Sequence, residues 1–93
     1  HRIGYVDVFR FSSYEKIAVK LELSLMAKNL LIEEYPLAEQ HITEKGKNSY
    51  IFETEVASLV GVGRFVLGLI DEVTIHYPDM LMDYLKKKIN ASN

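Results

Sequence analysis

Between Leu59 and Ile70 the chain reads LVGVGRFVLGLI, and Arg64 is the only charged side chain in it. A helix on one side of a small domain needs a single apolar stripe; one that is apolar nearly all round needs cover on a second side. In a chain of 93 residues, that cover is expected from another subunit or from a part of the protein outside this sequence. Leu59, Val62, Arg64, Phe65, Val66 and Leu69 are therefore the candidate interface, since aliphatic, aromatic and arginine side chains are the usual anchors of such contacts.

The rest of the chain alternates between strand and helix signals. Ile3, Tyr5, Phe9 and Phe11 at odd positions, with Asp7 interrupting, predict a weak strand or a connector over residues 1–13. Ile17, Val19, Leu21 and Leu23 alternate with Ala18, Lys20 and Glu22, the pattern of a half-buried strand. Ser24 is placed to cap a helix from about Leu25 to Glu34, which Pro36 stops. A polar edge strand is expected over Ala38 to Glu44, then a turn through Gly46 and Asn48, then a stronger strand from Ser49 to Val56. Ser58 caps the apolar helix and Asp71 ends it. Val73, Ile75 and Tyr77 give a last strand, and Pro78 opens a final helix with Lys86, Lys87 and Lys88 in its last turn. The predicted fold class is α+β: a ferredoxin-like β-α-β-β-α-β sandwich, a four-stranded antiparallel sheet with two helices on one face, plus a C-terminal helix.

Alternation also assigns the sheet face that the helices leave open. Lys20, Glu22, Glu53, Glu55, Glu72, Thr74 and His76 are expected there, an acidic surface with no aromatic ring besides the imidazole. RNA-binding sheets of this topology stack bases on aromatic rings beside basic residues, so this face argues against nucleic-acid binding.

Composition adds exclusions. A net charge of −2 gives no support to binding nucleic acid or a membrane surface through bulk charge. No apolar run approaches the roughly 18–20 residues of a membrane span, and no secretory leader is legible. The absence of cysteine removes disulfides and thiolate metal sites, and fits a cytoplasmic location. His41 and His76 have no ligand spacing, so no metal site is expected, and no cofactor either. Glu53 with Glu55, and Asp79 with Asp83, read as solvated charged faces rather than acid–base pairs. Leu23-Ser24-Leu25-Met26 lacks the arginine and glycine of an acylphosphatase phosphate loop. No catalytic signature is present. Gly61, Gly63 and Gly68 mark close backbone contact, either of the helix onto its own sheet or of a partner onto the helix.

With the segments placed, a set of motifs stands in order: Ile3-Gly4, Glu15-Lys16-Ile17-Ala18-Val19-Lys20-Leu21, Tyr35-Pro36-Leu37 followed by Gln40, and Phe52-Glu53-Thr54-Glu55-Val56. Gly63-Arg64-Phe65-Val66-Leu67-Gly68-Leu69-Ile70-Asp71-Glu72-Val73 and Tyr77-Pro78-Asp79-Met80-Leu81 complete it. In these the chain resembles the C-terminal extension (WCX) domain of bacterial WYL-domain transcriptional regulators, within the DeoR-like winged-helix family. The resemblance runs from about Ile3 to Ile89. It departs at Ile70, where the family has the glycine that ends the long helix. It implies a winged helix-turn-helix and a WYL domain upstream, with residues 1–13 as the connector and 14–93 as a regulatory and dimerisation domain. DNA would then be read only through the upstream domains. The basic positions of the WYL site are not in this chain, so no ligand-binding residue is carried over.

Two functions follow as expectations. The first is a non-catalytic, homodimeric oligomerisation and signal-relay domain of a DNA-binding regulator. The alternative is a metabolite-sensing domain, which would want a glycine loop with an acidic residue after the first strand.

Overall fold

The computed structural model describes residues 4–91; Ile3, read as part of the opening strand or connector, lies outside them. The chain opens on a small antiparallel hairpin, β1 (Tyr5–Val6) and β2 (Ser12–Ser13). Between them the backbone closes a tight loop, with Asp7 N–H donating to the Phe11 carbonyl and Arg10 N–H to the Asp7 carbonyl. Arg10 takes a left-handed φ of 70° to complete it. The Asp7 carboxylate is buried and accepts from three backbone N–H groups: Phe9 at 2.9 Å, Phe11 at 3.0 Å and Ala57 at 2.8 Å. Two of these fix the loop, and the third ties it to a point 50 residues away.

That loop delivers Phe9 to the core. Its ring meets Tyr35 edge-on at 4.9 Å, Phe52 at 6.1 Å and Phe65 at 6.5 Å. Segment 4–13, read from sequence as a connector or extra strand, thus supplies a central core residue.

The main sheet holds β3 (Ile17–Ser24), β4 (Ile42–Gly46), β5 (Ser49–Val56) and β6 (Val73–Tyr77) in the order β4-β5-β3-β6, with every neighbouring pair antiparallel. With helix α1 (Leu25–Glu34) after β3 and helix α2 (Leu59–Gly68) after β5, this is the expected ferredoxin-like β-α-β-β-α-β arrangement, with the C-terminal helix α3 (Asp79–Ala91) added. Val19, Leu21, Leu23, Phe52 and Val56 point at the helices and are almost wholly buried. Each such side chain contributes about 1.5–3 kcal/mol by leaving water. The serine caps form as expected: Ser24 Oγ accepts from Ala27 N–H and Ser58 Oγ from Val60 N–H, each at 3.1 Å.

Three local expectations need correction. The edge strand starts at Ile42, not Ala38, because Pro36–His41 continue as a 3-10 helix after Pro36 resets the backbone. Pro78 lies just ahead of α3, its carbonyl accepting from Leu81 N–H at 3.1 Å, rather than inside the helix. The chain between α2 and β6 is a 3-10 turn, Ile70–Glu72, where a helix running to Asp71 was expected.

Three substitutions test this packing. Asp7→Ala leaves three backbone N–H groups, two of them buried, without that acceptor and should cost about 3 kcal/mol in urea unfolding. Gly61→Ala should cost about 1–3 kcal/mol, since an added Cβ would lie 2.5 Å from Phe9 Cβ and 2.9 Å from the Phe11 ring. Gly68→Ala meets nothing within 4 Å and should instead stabilise by up to about 1 kcal/mol.

Candidate interaction surfaces

The α2 helix obeys the requirement for cover on more than one side, and the chain meets that requirement itself. Below it lies the sheet. On one flank Phe9 and Phe11 press against Gly61, and on the other the Tyr84 ring of α3 lies 2.7 Å from where a Gly63 Cβ would stand. Of the six residues expected at an interface, Val62, Phe65 and Val66 are therefore buried core, Leu59 and Leu69 are half-buried, and only Arg64 is exposed. Val62 is wholly enclosed, while Phe65 and Val66, though buried, edge surface grooves. Two of the three glycines are sockets for aromatic rings of the same chain, which is why close approach at α2 did not require another molecule.

Apolar surface is left open elsewhere. On α1, Ala27 and Leu31 point inward, while Leu25, Met26 and Leu30 lie on the outer side, with Met26 52% exposed. Leu37, in the following 3-10 helix, is 66% exposed. The signal was present in LMAKNLLIEE, which is apolar on more than one face, but the longer apolar run of α2 outweighed it.

The second open surface lies beside α3. Val66, Ile70, Val73, Ile75, Met82, Leu85 and Ile89 line a groove of about 360 Å³ between α3 and β6, with Thr74 and Lys86 as its polar members. Ile70, Met82 and Ile89 are exposed along it. Among the described residues, the outer edge of β6 pairs with no strand.

The sheet face opposite the helices is acidic but internally tied. Glu22, in β3, accepts from Lys45 Nζ of β4 at 3.0 Å, Ser49 Oγ of β5 at 2.8 Å and His76 Nε2 of β6 at 3.0 Å. These donors, Lys45 first, then His76 and Ser49, lower the Glu22 pKa from its ordinary 4.5 to about 2. Glu72 stands at the end of this face, in the 3-10 turn before β6, where it accepts from Ser24 Oγ at 2.7 Å and shares a hollow with Glu22, Ser49 and Thr74.

The aromatic content of the face also needs correction. The β3–β6 register shifts between Lys20 and Leu21, so Tyr77 pairs with Lys20 instead of continuing the Val73–Ile75 face. Its hydroxyl donates to Glu53, and that carboxylate raises the phenol above its ordinary pKa, helped by burial. Tyr5 donates to the Glu55 carbonyl at 2.6 Å, so two tyrosines rim this face near His41, Glu53 and Glu55. A bulge changes which side a residue faces, and alternation alone carries no sign of it.

Among the described residues, no three metal-ligating side chains converge, and no helix is long and apolar enough to cross a membrane. Set against protein-family models, curated proteins and solved structures, the chain matches none.

The Glu22 arrangement can be checked directly. Because its folded pKa is depressed, its contribution to stability is present above about pH 4.5 and is lost as the pH falls towards about 2. An NMR titration should give a Glu22 midpoint near 2. Lys45→Ala should move that midpoint up, and high salt should move it part of the way, since the pair is solvent-exposed.

Proposed function

We propose that the chain is a non-catalytic association domain, the C-terminal oligomerisation and signal-relay part of a bacterial DNA-binding transcriptional regulator. DNA would be read by upstream domains and not by this one. The observation that carries the reading is the pair of separate apolar surfaces, one on the outer side of α1 and one along α3 and β6, with the buried face of α2 between them. Exposed apolar residues scattered singly need no explanation, but contiguous ones mark contact sites. A domain that both self-associates and passes a signal to its neighbour needs two such surfaces, held rigidly apart. The dense core under α2 supplies that rigidity.

The motif order shared with WCX domains supports the narrower assignment to WYL-type regulators. Its densest part, Gly63 to Val73, builds α2 and the turn into β6, and so shapes the core between the two surfaces. Sensing of a metabolite at the β3–α1 junction is less favoured. The Ser24 hydroxyl there already accepts from Ala27 N–H and donates to Glu72, so it has no proton left to give an anionic ligand.

Sedimentation equilibrium of the 93-residue chain is expected to show a reversible dimer, and a strict monomer at the highest attainable concentration would overturn the reading. Met26→Lys with Leu30→Lys should leave unfolding free energy within about 0.5 kcal/mol of the parent, as expected for residues engaged by something other than their own core.

A further inference from the structure

The α3 surface has a feature that the α1 surface lacks: it is complementary to itself. Resting on the association reading, we propose that two copies of this chain join through α3, packed antiparallel about a two-fold axis. Asp79, Met82, Lys86 and Ile89 form the contact stripe.

At 100° per residue these four positions fall on one side of the helix, within a sector of about 80°. Leu81 and Leu85 occupy a different sector, turned into the core. Met82, Lys86 and Ile89 line the groove beside β6, and all four stripe residues are exposed. The stripe is apolar at Met82 and Ile89 and carries opposite charges at Asp79 and Lys86. Among the described residues neither charge has an ion-pair partner within the chain.

An isologous contact places the same patch on both copies, with residue i on j and j on i. Running two such helices antiparallel with Met82 near the axis brings Asp79 of each copy to Lys86 of the other. Both pairs form at once. A parallel arrangement would set acid on acid and base on base. The Asp79-to-Lys86 spacing is about 10 Å along the helix, so the two ion pairs flank the central methionines as a polar rim around an apolar centre. Ile89, nearly one turn further from the axis, lies beyond that rim. The outer side of α1 has no such pattern. Its charges are Lys28, which lies over the Tyr50 ring at 4.7 Å, and the acidic Glu33 and Glu34 at one end.

The test is a charge-exchange series read by sedimentation equilibrium. Asp79→Lys and Lys86→Glu, each alone, should weaken the dimer by about tenfold or more, because each sets like charges together twice. An equimolar mixture of the two variants should recover dimer, as should the double variant carrying both changes. All are surface exchanges, and circular dichroism should show the fold unchanged. Single variants that dimerise like the parent, or a mixture that fails to recover, overturn the proposal. If the parent dimerises and only Met26→Lys dissociates it, the contact lies on α1; this inference then fails while the association reading stands. A monomeric parent overturns both.

Discussion

An apolar rod has to be covered, and the rest of the structure is arranged around covering α2. The sheet takes one side, which any β-α-β-β-α-β domain provides. The remaining sides are closed by pieces that lie outside that six-element pattern: the N-terminal loop with Phe9 and Phe11, and the C-terminal helix with Tyr84. Both approach through glycines, because only a residue without Cβ lets a ring lie on the helix backbone. The two additions are therefore parts of a single core, and Asp7 fixes the first of them by bridging its loop to Ala57, two residues before α2 begins.

That solution moves the functional question outward. With most of α2 covered by its own chain, exposed apolar surface remains on the flanking helices, each of which buries one stripe and leaves another open. On α1 the inward stripe is Ala27 and Leu31, and on α3 it is Leu81 and Leu85. On the opposite sheet face the carboxylates of Glu22 and Glu53 accept hydrogen bonds from side chains on other strands of the sheet.

Much of this was legible before any coordinates. The bounds of α1, the pairing faces of β3 and β5, both serine caps and the fold class follow from periodicity and turn residues, which are local. What was not legible is long-range or a matter of one residue. Phe9 looked like part of a weak strand because its neighbours in the core, Tyr35, Phe52 and Phe65, are far away in sequence. Tyr77 was assigned by alternation, which a register shift overrides. Three of the six candidate interface residues, Val62, Phe65 and Val66, are buried in the chain's own core for a related reason. The need for cover at α2 was read correctly, but a sequence does not say whether cover comes from the same chain or from another, and attention to α2 hid the milder excess of apolar residues on α1.

The bonding of Glu22 bears on how the sheet moves. One carboxylate in the central strand holds side chains from each of the other three, so on that face the strands do not fray one by one. Loosening β4 removes Lys45, the strongest of its donors, and leaves the links to Ser49 and His76 attached to a carboxylate with less reason to stay in place. The outermost strands of a small sheet are ordinarily the first to breathe; here the two rims are coupled through the middle, and opening at one is felt at the other.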